Sequence, residues 1–133
     1  KWIVDQLEIK METKKIIFRN SKILILGVTF KENCPDTRNS KVLDIIKFLN
    51  QKEITPYVHD PYITNEEKLE NNFNFLENLP TDGALKFDAI IIAVAHNEYK
   101  LIDFKNWKNL VSENYIFYDL KGILPRELNP VRL

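Results

Sequence analysis

Lys31, Arg38 and Lys121 are the side chains of this sequence best suited to chemistry on an anion. Lys31 follows the apolar run 22–27 (KILILG), Arg38 lies further along the same loop in Asp36-Thr37-Arg38, and Lys121 follows the run 115–119. Ligands of an open parallel sheet sit beyond the carboxyl ends of its strands, and each of these cations stands just past such an end. Taken singly, each reads as a solvated loop residue. Taken together, in a chain of 19 basic and 19 acidic residues with no net charge, they are arranged for a phosphate-bearing ligand. The same zero net charge argues against a protein that holds nucleic acid through bulk positive charge.

The remaining reactive residues read as structural. Asp60 ends an apolar run, where a dinucleotide fold places its ribose-binding acid, but Asp60-Pro61 also closes a turn, and that reading is preferred. The first loop is Gly27-Val28-Thr29-Phe30-Lys31-Glu32 and lacks the pyrophosphate glycines of G-x-G-x-x-G. Cys34 lies between the anions Glu32 and Asp36, which disfavour a thiolate, so it is expected to be an incidental loop thiol and not a nucleophile. His59 and His96 are far apart, and with one cysteine in the chain no zinc spacing exists. His96 reads as a turn residue at a strand end, with a binding role left open. Trp2, Trp107 and the other aromatics read as core, since no basic stripe accompanies them.

The elements that must position these residues follow from periodicity. Residues 1–17 lack Gly and Pro and place Val4, Leu7 and Met11 at helical spacing, predicting a helix. Residues 22–27 read as a strand buried on both faces. Val42, Ile45, Ile46 and Leu49 recur at i, i+3, i+4 and i+7, one face of a helix that Asn39 or Ser40 can cap. Residues 54–59 form a second strand, with Pro56 marking an edge or a strand start. Residues 64–72 are polar and read as helical. Within 74–86, Asp82-Gly83 signals either a hairpin or a loop with a short helix. Residues 88–95 (DAIIIAVA) are the clearest central strand, 104–111 turn helically, 115–119 are the last strand, and 121–133 form a mostly irregular tail.

Strands alternating with helices predict an α/β fold, a parallel sheet with right-handed crossovers. At 133 residues, 44% of them apolar, the chain suits a single domain with a packed core. The run 89–95 is far shorter than the ~20 residues that cross a bilayer, the single cysteine fits a reducing compartment, and no signal peptide is expected. A cytoplasmic protein without a membrane segment is expected. The chain opens at Lys1 inside a helix-like stretch, which suggests a piece of a longer protein.

The stretch 23–49 carries a more specific signal. Gly27-Val28-Thr29-Phe30-Lys31, then Asp36-Thr37-Arg38-Asn39-Ser40, then a helix, resembles the opening of the C-terminal domain of the UDP-glucose/GDP-mannose dehydrogenase family. The fuller string FKENCPDTRNSK resembles the UDP-N-acetylhexosamine 6-dehydrogenase branch, which serves bacterial surface polysaccharides. Val58-His59-Asp60-Pro61, Ala93-Val94-Ala95-His96-Asn97-Glu98 and Asp119-Leu120-Lys121-Gly122 agree in order.

The resemblance implies a Rossmann-like domain whose residues 1–17 end a long inter-domain connecting helix and whose residues 18–133 bind a UDP-sugar. It implies that Phe30 and Lys31 contact the UDP-sugar, that Lys121 lies near a basic position that does so, and that Arg38 reaches across a cleft to NAD. It further implies a full-length NAD-dependent enzyme, usually a homodimer, that oxidises the sugar C6 alcohol to a carboxylate through a cysteine thioester, reducing two NAD. That cysteine belongs to a Gly-Gly-x-Cys segment, which this sequence lacks, and the NAD glycine loop is absent too. No catalytic residue is therefore expected here, no metal site, and no turnover by this chain alone. Two alternatives are a flavodoxin-like regulatory module, against which Phe30-Lys31 argues where an acidic cluster is needed, and the nucleotide-sugar-binding half of a glycosyltransferase.

Overall fold

The first helix stops four residues before its apolar periodicity suggests, and the reason is a backbone cap. The computed structural model, which describes residues 1–37, 40–63 and 72–132, places α1 at Trp2–Thr13. Lys15 then turns left-handed (φ 62°), its N–H bonds to Glu12 O, and Ile16 N–H reaches back to Met11 O at 2.8 Å. This is the Schellman arrangement, completed by the apolar pair Ile16 and Met11, both buried.

The order continues with β1 (Ile23–Leu26), α2 (Val42–Gln51), β2 (Tyr57–His59), β3 (Asn74–Phe75), β4 (Phe87–Ile92), α3 (Asn97–Lys100), α4 (Phe104–Asn109), β5 (Val111–Asp119) and β6 (Val131–Arg132). α2 ends as α1 does, with Glu53 left-handed (φ 64°) and Ile54 N–H on Leu49 O.

The six strands form one sheet in the order β3-β2-β1-β4-β5-β6, and every neighbouring pair is parallel. β1 lies at the centre, with Leu24 opposite Tyr57 on one side and Ile90 on the other. Its four residues are all fully buried, which explains the unbroken ILIL run: side chains alternate between two covered faces. Ile23, Ile25, Ala89, Ile91, Ile116 and Tyr118 meet Val4, Leu7 and Met11 of α1 and Val42, Ile45, Ile46 and Leu49 of α2. Leu24, Leu26, Ile90, Ile92 and Phe117 face the other way, onto Tyr99, Trp107 and Leu110. The α/β fold, a parallel sheet flanked by helices, is thus as the sequence indicates.

Several details differ from the sequence reading. Pro56 marks a strand start, because β2 begins at Tyr57 and lies inside the sheet, between β1 and β3. Asp82-Gly83 makes a turn and not a hairpin: β3 and β4 do not pair, and Ala84 N–H bonds the Asp82 carboxylate. β4 runs Phe87–Ile92, so 93–95 already leave the sheet. β5 starts at Val111, earlier than its apolar residues suggest. The tail holds β6, where Tyr118 pairs Val131 and Asp119 pairs Arg132. The expected helix at 64–72 falls almost wholly outside the described residues.

Candidate functional site

The chain runs outward from β1 through β2 to β3 and then crosses back to β4 on the other side of β1, so the strand order reverses and the switch point lies between β1 and β4. A cleft of about 440 Å³ opens there. Its lining comes from four segments at the carboxyl ends: Thr29, Phe30, Lys31 and Glu32 after β1, Ser40, Lys41 and Val42 entering α2, Ala93, Val94 and Ala95 after β4, and Lys121 after β5. The structure therefore brings Lys31 and Lys121, 90 positions apart in the chain, to one cavity, with the ammonium-bearing side chains exposed. Lys41 joins them. Nothing in its local sequence distinguishes it from any other lysine at the start of a helix. Arg38 lies outside the described residues. Phe30 is 56% exposed on the rim, an unusual place for a large apolar side chain.

Gly27 makes the approach of β1 to β4 possible. Its φ is +92°, and a Cβ there would stand 2.5 Å from Val94 Cβ. Its N–H bonds His59 O at 2.9 Å, so the chain leaves β1 tied to β2 while passing against a wall of the cleft. Ser40 holds the other side: its Oγ donates to Thr29 O and accepts from Val42 N–H at the start of α2.

Beneath the loop after β1 lies a buried polar cluster. Asp60 Oδ2 accepts from the amides of Val28 (2.8 Å) and Thr29 (3.3 Å), and Oδ1 accepts from Tyr62 N–H (2.8 Å). His96 Nε2 lies 2.9 Å from Asp60 Oδ2 and 3.1 Å from Thr29 Oγ1. The tautomer follows from the other ring nitrogen. Asn33 N–H donates to His96 Nδ1 at 2.8 Å, so in the neutral ring Nε2 carries the proton and donates to Asp60. Thr29 Oγ1 in turn donates to Lys31 O at 3.0 Å. Burial pushes the Asp60 carboxyl up, but bonds from His96 and from the Val28 and Tyr62 amides outweigh it and leave it below the usual range.

Asp60 is 2% exposed, and both its oxygens are occupied by the chain's own donors. A ribose-binding acid must turn an oxygen outward, so Asp60 does not serve as one; it closes its turn, as read from Asp-Pro, and supports the β1 loop as well. Next to it, His59 donates from Nδ1 to Tyr99 Oη (2.9 Å), which donates to His59 O (2.7 Å). Burial lowers the His59 pKa and raises that of Tyr99. On the far side of the cleft, Asp119 organises the turn that carries Lys121: Oδ1 accepts from Lys121 and Gly122 N–H, and Oδ2 from Leu124 N–H.

A larger cleft of about 600 Å³ lies between the C-terminal ends of α1 and α2, at the amino ends of the strands. Two of its three cations are already paired, Lys52 with Glu8 at 2.6 Å and Arg19 with Glu53 at 2.9 Å, Lys15 being the third, and no strand delivers its carboxyl end there. The smaller cleft is the better candidate on chemistry. Cys34, half-buried, does not line it. Among the described residues no group of three His, Cys, Asp or Glu side chains is placed to hold a metal, and no helix is long and apolar enough to cross a membrane.

Comparison with known proteins gives this geometry a context. Residues 24–126 match the model of the UDP-glucose/GDP-mannose dehydrogenase family, UDP binding domain. The chain is 36% identical over 132 residues to a UDP-N-acetyl-D-glucosamine 6-dehydrogenase of Pseudomonas aeruginosa, covering 99% of this chain and 31% of that protein. It is 34% identical over 132 residues to the enzyme of the same name from Salmonella typhi, again 99% and 31%. In fold it is similar to the NDP-N-acetyl-D-galactosaminuronic acid dehydrogenase of Methanosarcina mazei Go1, with a TM-score of 0.76, 21% identity, and coverage of 94% of this chain and 26% of that one. The chain thus spans about a third of the length of the relatives it matches in sequence.

Proposed function

Since the chain belongs to the UDP-glucose/GDP-mannose dehydrogenase family and forms its UDP binding domain, we propose that the switch-point cleft holds the UDP part of a UDP-sugar. One observation carries this: in a chain of zero net charge, Lys31 and Lys121 line a single cleft at the carboxyl ends of β1 and β5. Their ammonium groups neutralise the diphosphate, Lys41 adds a third positive charge, and the exposed Phe30 ring packs along the ligand. Thr29 and Ser40 face the same space with hydroxyls already tied to backbone, so they shape the wall more than they select the ligand.

In this reading the whole protein is an NAD-dependent UDP-sugar 6-dehydrogenase of surface polysaccharide synthesis. It is cytoplasmic and homodimeric, and this chain is its substrate-binding part. Residues 1–17 bring in the connecting helix and 18–133 form the domain, although Val4, Leu7 and Met11 make α1 part of the same core. NAD does not fit this chain as its own cofactor, because the loop after β1 lacks the glycines and Asp60 is turned inward. Arg38, outside the described residues, is proposed to reach NAD held elsewhere in the protein. With neither a Gly-Gly-x-Cys segment nor a dinucleotide loop, the chain alone produces no NADH.

Calorimetric titration with UDP, UDP-N-acetylglucosamine and NAD tests this. UDP and the UDP-sugar should bind, Lys31→Ala should weaken both by about tenfold or more, as expected for a lost charge-assisted hydrogen bond, and NAD should not bind. NAD binding without UDP binding, or a Lys31→Ala variant with unchanged UDP affinity, would overturn the assignment.

A further inference from the structure

The loop that carries Phe30 and Lys31 belongs to no helix or strand, yet its backbone is held from below at both ends and tied to the loop's own groups in between. Val28 and Thr29 N–H rest on Asp60 Oδ2, Lys31 O accepts from Thr29 Oγ1, Asn33 N–H ends on His96 Nδ1, and Phe30 N–H bonds Asp36 O. Two of these anchors come from other strands: Asp60 follows β2 and His96 follows β4. They are joined to each other at 2.9 Å with both side chains fully buried. Asn33 is left-handed (φ 57°), a conformation Asn tolerates, and its Oδ1 accepts from Asn97 N–H at 3.0 Å, next to His96. Neither Asp60 nor His96 lines the cleft.

We infer that His96 and Asp60 are positioning residues for the ligand side of the cleft: as one buried unit they fix residues 28–33 in the conformation that presents Phe30 and Lys31. This deepens the UDP-sugar reading and rests on it. The physical reason is preorganisation. A loop ordered before the ligand arrives does not lose its conformational freedom upon binding, so the full interaction of Lys31 appears as affinity. The two nitrogens of His96 have separable duties. Nδ1 accepts from Asn33 and sets the far end of the loop, while Nε2–H donates to Asp60 and holds the carboxylate that sets the near end.

The test combines amide exchange of this chain with UDP titration in His96→Ala, His96→Asn and Lys31→Ala. Asparagine places an acceptor where Nδ1 stands and drops the Nε2 donor. In His96→Ala, Asn33 N–H should accelerate at least tenfold more than Ile25 and Ile91 N–H in the sheet, whose exchange reports the global loss of stability. His96→Asn should restore most of the Asn33 protection. UDP affinity should fall at least fivefold in His96→Ala, but less than twofold when the same change is made in Lys31→Ala, because the loop then has no charge to present. Unchanged Asn33 exchange, or equal losses in both backgrounds, would overturn the inference. Should the unsubstituted chain bind no UDP while Asn33 responds as described, the ligand assignment falls and the loop-holding role stands.

Discussion

Replacing Gly27 with alanine strikes the point where β1, β4 and the cleft meet. The new Cβ would lie 2.5 Å from Val94 Cβ, 2.9 Å from its Cγ2 and 3.0 Å from its backbone N, at a φ of +92°. Holding an L-residue in left-handed backbone costs about 1–2 kcal/mol, and forcing a methyl into a filled site about 1–3 kcal/mol. The alanine chain gains back about 0.4–1 kcal/mol through a less free unfolded state. The net expectation is a loss of about 1–5 kcal/mol in urea unfolding, seen as a lower midpoint at unchanged slope. The contact geometry sharpens the test. Adding Val94→Ala should not rescue the variant, since the Cβ at 2.5 Å remains, whereas adding Val94→Gly should recover the packing part in a double-mutant cycle. A Gly27→Ala chain within 0.5 kcal/mol of the original would refute the close approach, and with it the described wall of the cleft.

Three further outcomes are expected. Lys15→Gly should raise stability by about 0.5–1 kcal/mol, because glycine relieves the left-handed strain of the Schellman cap at some entropic cost; a lower urea midpoint would contradict the cap. Asp119→Asn should cost about 2–3 kcal/mol, since the carboxylate accepts from three amides and an amide side chain cannot match it; an unchanged midpoint would remove Asp119 as organiser of the Lys121 turn. Stability should also depend on pH through His59. Its folded pKa lies below the ordinary 6.5, so the unfolded chain binds the extra proton, and stability falls as pH drops from 6.5 toward the folded value. One proton gives a slope of at most about 1.4 kcal/mol per pH unit, and His59→Asn should flatten it; an equal slope in the variant would place the titration elsewhere.

The parts of this structure legible in the sequence are those with a period. The ILIL of β1, the DAIIIAVA around β4 and the i, i+3, i+4, i+7 face of α2 name their elements directly, and the rule for parallel sheets then picks out Lys31 and Lys121. β3 and β6 are two residues each and have no period to detect; Arg132 is fixed instead by lying opposite Asp119. The helix ends were obscured because Lys15 and Glu53 occupy left-handed positions where glycine is the usual signal. The Asp60–His96 unit was unreadable for a different reason. Its members are 36 positions apart, each with an adequate local explanation, and only the side-by-side ends of β2, β1 and β4 bring them under the same loop. The distance from His96 to Asn33 is likewise set by topology and not by any motif.

The most direct measurement is the site of UDP on the chain, mapped by NMR shift changes of backbone amides during titration. The switch-point reading predicts changes at Thr29, Phe30, Lys31, Val42, Ala95 and Lys121, with Glu12, Ile16 and Lys52 silent. Changes centred on Glu12, Ile16 and Lys52 would place the nucleotide between the helix ends and contradict it.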